Sequence, residues 1–136
     1  MGKYTALAAD VYSVFATPGW LAENIATGPD NYKGLSGSDE YIRVSILPTG
    51  ISQVNIPRST SGQLIIDIFV PAGEGLKRMN LIADKLDSYL AGKSISTGVA
   101  GLTQFGSSSL NPIGNDPVNA SLYRGSYSIS FNYFGK

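Results

Sequence analysis

The sequence predicts an α+β domain, an antiparallel or mixed sheet of four to five strands with two main helices packed on one face. Three observations predict it. Apolar residues recur at helical spacing in two stretches, near the N-terminus and around residues 74–91. Short apolar or alternating runs fill the interval between them and close the chain. The order is helix, strands, helix, strands within 136 residues and without an internal repeat. That length suits one domain, expected to span residues 1–136.

The first helix carries Tyr4, Leu7, Ala8, Val11, Tyr12, Val14 and Phe15 on its apolar side. Lys3, Thr5, Asp10 and Ser13 fall mostly on the other. Thr17-Pro18-Gly19 stops it, because proline disfavours helical geometry in the residue before it. Trp20 to Ile25 reads as a short edge strand or extended run. A polar, turn-rich loop follows, from Gly28-Pro29 to Ser38.

Tyr41 to Leu47 is a strand, with Ile42, Val44 and Ile46 on one face and Tyr41, Arg43, Ser45 and Leu47 on the other. Pro48-Thr49-Gly50 ends it. Ile51 to Ile56 suits a second short strand, and residues 57–62 form an exposed loop. Gln63 to Val70 is apolar on both faces apart from Asp67, as in a central strand covered on both sides. Gly73 then opens a tight connection to the second helix, residues 74–91. Leu76, Met79, Ile82, Ala83, Leu86, Tyr89 and Leu90 form its apolar stripe, and Gly92 suits the left-handed position past its end.

The pattern weakens between Ser94 and Pro117. Val99 to Phe105 reads as a strand. Residues 106–109 and 111–117, rich in Gly, Ser, Asn and Pro, read as irregular loop. The chain closes with a long strand, Val118 to Phe134. Tyr123, Tyr127, Ile129, Phe131 and Tyr133 line one face, and Arg124, Ser126, Ser128, Ser130 and Asn132 the other.

Composition narrows the classes of function. Ten basic and ten acidic residues balance, so the basic excess of a nucleic-acid binder is missing. Charged residues make up 15% of the chain; a surface so weakly charged is easily covered by a partner. There is no cysteine and no histidine. This fits synthesis in a reducing compartment and removes the commonest nucleophile, general base and transition-metal ligands. No signal peptide or membrane-spanning run is expected, and no cofactor is implied. Asp84 and Asp87 read as a solvated helix face beside Lys85. Asp67 is the acid nearest the core, either catalytic or paired with Arg43 or Arg124; pairing is favoured, because buried charges need partners. Gly73-Glu74-Gly75 lacks the further residues of a phosphate-binding loop.

The run Tyr41 to Leu47-Pro48, the strand Asp67-Ile68-Phe69-Val70-Pro71 with its glycine-rich turn, and the helix with Ala83-Asp84-Lys85-Leu86 carry a resemblance. So do the aromatic closing strand Tyr127 to Phe134 and the opening helix followed by Trp20. Together they resemble the tail terminator family of long-tailed bacteriophages, its lambda-type members and related small tail-completion proteins. The resemblance implies a non-enzymatic virion protein, made in the host cytoplasm, that forms a hexameric ring. Such a ring caps the tail tube, stops its polymerisation and presents the surface that joins the head. Implied partners are further copies, the tail-tube protein and a head-completion or connector protein. DNA would pass through without specific binding, and no membrane is involved. The family brings no motif of functional residues. The loops of residues 29–39 and 51–62 are the expected contacts, with Tyr32, Lys33, Gln53, Asn55 and Arg58 as interface residues. Alternatives are a head–tail connector, a tail-tube subunit or, further off, a small ligand-binding domain or enzyme using Asp67.

Overall fold

A computed structural model describes residues 2–29, 40–49, 59–73, 76–96, 101–115 and 121–135. Its elements run α1 (Lys3–Phe15), α2 (Pro18–Leu21), β1 (Thr27–Pro29), β2 (Tyr41–Pro48) and β3 (Thr60–Pro71), then α3 (Lys77–Leu90), β4 (Ser94–Ile95), β5 (Gly101–Asn115) and β6 (Leu122–Gly135). One six-stranded sheet has the order β1-β2-β3-β6-β5-β4. Only β1 and β2 run parallel; the other pairs are antiparallel.

This corrects the expected architecture. The sheet has six strands rather than four or five, curls into a half-barrel and carries three helices rather than two. Among the described residues strand exceeds helix, 52% against 30%. β1 and β4 are short strands that were not expected, and two local causes account for the third helix and the larger share of strand. Pro18 stops α1 but also sits at the first position of α2, where its missing N–H costs nothing. Thr17 caps that helix, its hydroxyl accepting from the Trp20 backbone N–H at 3.3 Å. Trp20 is therefore on a short helix and not on an edge strand. The second cause is β5, which continues through the expected loop to Asn115. Its pairing with β6 overrides a weak local pattern, and irregularities between Phe105 and Ser108 and between Pro112 and Gly114 absorb the misfit residues. The strand expected at Ile51–Ile56 lies outside the described residues.

Side-chain alternation decides which face is core. Ile42 and Val44 of β2, Leu64, Ile66, Ile68 and Val70 of β3, and Tyr127, Ile129, Phe131 and Tyr133 of β6 are all buried in one cluster. Leu7, Val11 and Val14 of α1 and Met79, Ile82 and Leu86 of α3 complete it. Among the described residues the opposite face is covered only at one end, by a small cluster of Tyr41, Phe69 and Leu122. Thus β3 is not covered on both sides along its length, since Gln63 is exposed and Ile65 half-buried.

Two buried details pin the helices. Asp10, expected on the polar side of α1, is buried and accepts a 2.8 Å hydrogen bond from the Thr103 hydroxyl of β5. Trp20 packs edge-on between Phe15 and Tyr89, and its Nε1–H donates to the Thr27 hydroxyl at 3.0 Å. Gly92, just past α3, has φ 69°, the left-handed value its position demands.

Gly125 of β6 lies directly under α3. A Cβ there would fall well inside contact distance of Met79 Sδ and Cε. Gly125→Ala is therefore expected to destabilise the fold by about 1–3 kcal/mol, as overpacking does. Urea unfolding checks this, and Met79→Ala in the same chain should recover part of the loss, because the two changes share one contact.

Candidate functional site

The residues expected to make contacts, Tyr32, Lys33, Gln53, Asn55 and Arg58, lie outside the described residues. Three other places bring chemistry together.

The first is a polar cleft between α3 and β5, lined by Asn80, Asp84, Asp87, Ser108, Ser109 and Tyr127 among others. Asp87 does not simply face solvent beside Lys85. It accepts from the Tyr127 hydroxyl at 2.6 Å and the Ser108 hydroxyl at 2.5 Å. Register explains the meeting, since Ser108 pairs with Ile129 and Leu110 with Tyr127 on the core side of the sheet. Lys85 instead reaches across to Glu23 at 2.5 Å, tying α3 to the turn after α2. The half-buried Asp87 carboxylate already accepts two hydrogen bonds on one oxygen, and the phenol of Tyr127 is held protonated. Among the described residues no three His, Cys, Asp or Glu side chains group as metal ligands.

The second is an apolar groove of about 260 Å³ between the end of α1, α2 and β1, lined by Tyr12, Phe15, Trp20, Leu21, Ile25 and Pro29 among others. Leu21 at its rim is 63% exposed. Of the charged residues of α1, Asp10 is buried and Lys3 sits over the Tyr4 ring. The outward side of α1, with Tyr4, Thr5 and Tyr12 exposed, is otherwise uncharged.

The third is the uncovered sheet face. Asp67 is buried there between two guanidiniums, Arg43 Nη2 at 3.2 Å and Arg124 Nη2 at 3.1 Å. Both arginines expected as partners are used. Both also lie over the Phe69 ring, at 5.3 and 5.8 Å from its centroid, and Tyr41 stacks on Phe69 at 4.4 Å. At the same end, Arg78 of α3 donates twice to Glu40 at 2.6 and 2.8 Å, and this hydrogen bonding raises the arginine pKa. The sequence signalled the Asp67 cluster, because an acid inside an apolar strand must be paired. It did not signal the groove, whose walls come from separate elements.

No family model and no curated protein matches the chain. Its fold is shared with solved structures. One, known only by a sequence identifier, superposes with a TM-score of 0.64 at 15% identity, covering 96% of this chain and 92% of that one. Another is a chain of the virion of a native gene transfer agent particle, with a TM-score of 0.63 at 15% identity. That match covers 98% of this chain and 97% of the virion chain. The likeness is one of fold.

Burial, and then the hydrogen bond to Asp87, push the Tyr127 hydroxyl well above its ordinary pKa. The unfolded chain releases this proton near pH 10, and the folded chain keeps it. Tyr127 therefore leaves stability level below about pH 10 and lowers it as pH rises further, because the native state then binds the extra proton. Urea unfolding at rising alkaline pH should show this fall. Tyr127→Phe should shrink the slope and cost about 1–2 kcal/mol at neutral pH through the lost hydrogen bond.

Proposed function

We propose that this chain is a structural component of a phage-like virion, and within it a tail terminator. In this reading its copies close into a hexameric ring on the end of the tail tube. The ring ends tube polymerisation and offers the head its joining surface. The observation that carries the reading is the end-to-end likeness to a chain of the gene transfer agent virion, 98% of one chain against 97% of the other.

The described surfaces support assembly over catalysis. A ring needs two different patches on each subunit that fit one another and close. The apolar groove and the nearly uncharged side of α1 are suited to burial, since little charge must lose its water. A helix apolar beyond one stripe belongs in a covered setting. The open sheet face, polar and mostly hydroxyl-bearing, suits a wet surface such as a channel wall. The partners in this reading are further copies, the tail-tube protein below, and a head-completion or connector protein above. The place of action is the virion, and no helix of the described residues is long and apolar enough to cross a membrane.

Light scattering after size exclusion, with negative-stain images, tests this. Closed rings are expected, alone or beside the tube protein. Extended tubes would assign the chain to the tube instead, and a strict monomer under both conditions would sink either reading. Leu21→Asp should leave subunit unfolding within about 0.5 kcal/mol of the parent, as exposed substitutions usually do. The same change should abolish rings.

A further inference from the structure

The six strands contain three charged residues between them, Arg43, Asp67 and Arg124. All three stand in one cluster on the uncovered sheet face. One carboxylate needs one cation; this one has two. The cluster therefore carries an excess positive charge on a face that its strands leave otherwise uncharged.

The cluster is also rich in donors. A guanidinium has five N–H groups, and each arginine gives one nitrogen to Asp67. Among the described residues Arg124 Nε is buried with no acceptor. Asp67 and the Phe69 ring hold both guanidiniums in place, so little side-chain freedom remains to be lost on binding. Each arginine side chain is still about one-third exposed. Register adds neutral donors beside it, since Ser126 pairs with Asp67 and Asn111 with Ser126 in one row across the sheet. Ser128, Ser130 and Asn132 extend that polar surface along β6.

An excess of fixed donors with one spare positive charge fits an anion. An elongated face of hydroxyls and amides leading away from the charge fits a polyanion better than a single ion. We infer that Arg43 and Arg124, positioned by Asp67, form a contact for the phosphodiester backbone of double-stranded DNA on the open sheet face. Contacts of this kind position a duplex without reading its sequence. Asp67 keeps the contact weak, so that DNA is guided and not held. The inference rests on the ring reading for its setting, with the sheet face turned to the channel.

The test is fluorescence anisotropy of a short labelled DNA duplex at low ionic strength. Weak binding that falls steeply with salt is expected. Asp67→Asn keeps both arginines and removes the neutralising charge, so it should tighten binding, on the order of threefold or more at low salt. Arg124→Gln leaves a one-to-one Arg43–Asp67 pair and should abolish binding. Lys3→Gln, on α1, should change nothing. Thermal unfolding shows which variants are folded; if Asp67→Asn is not, Arg124→Gln decides. Binding that Asp67→Asn weakens in a folded chain, or that survives Arg124→Gln, overturns the inference. So does inorganic phosphate occupying the site, seen as chemical-shift changes at Arg43 and Arg124, where the duplex does not bind. Scoring rings and DNA binding on the unsubstituted chain separates the two readings: DNA binding without rings sinks the ring alone, and rings without DNA binding sink the contact alone.

Discussion

The whole structure depends on the period-two alternation of β6. This strand lies between β3 and β5 and pairs with both along most of its length. Its aromatic and aliphatic residues therefore fix which side of the sheet both helices must cover. A slip of one residue would send Tyr127, Ile129, Phe131 and Tyr133 to the wet face and the serines to the core. The helices, the Asp87 cleft and the arginine cluster all inherit their positions from that register. The sheet is thus divided into a dry side that makes the subunit and a wet side left free for use.

Legibility in the sequence followed the same division. Strands with one dry side, such as β2 and β6, show clean alternation, and their faces were readable, although β6 starts at Leu122 and not at Val118. The stripe of α3 was readable for the same reason, although Leu76 proved to be an exposed residue ahead of the helix. Elements defined by partners were not readable. β5 has mixed polarity on both sides because one edge and much of one face remain uncovered, so only β6 makes it a strand. Asp10 looked like a surface residue because nothing local announces Thr103, 93 positions away. The Asp67 cluster was legible because a charge in an apolar run demands a counter-charge. The apolar groove was not, because no single segment contains it.

Charge placement carries a functional argument of its own. Balanced overall charge hides an uneven distribution. Outside the strands, four of the described charges form long-range pairs, Glu23 with Lys85 and Glu40 with Arg78, which lace α3 to the elements around it, and Lys77, Asp84 and Lys93 stand exposed on or just past α3. The side of α1 toward solvent and the groove beside it are left nearly bare of charge. Surfaces intended to stay wet seldom dispense with charge in this way, whereas surfaces destined for contact do so routinely. The charge pattern thus favours a surface that a partner covers.

The bond between Asp10 and Thr103 has a consequence for timing during synthesis. α1 emerges from the ribosome first, yet it rests on β4, β5 and β6, the last strands to be made. Its landing surface does not exist until those strands have been made. The buried carboxylate would be stranded on any earlier surface, because no Thr103 hydroxyl is there to receive it. A nascent chain therefore cannot seat α1 until β5 has been made, and the outward face of that helix takes its final orientation only in the folded domain.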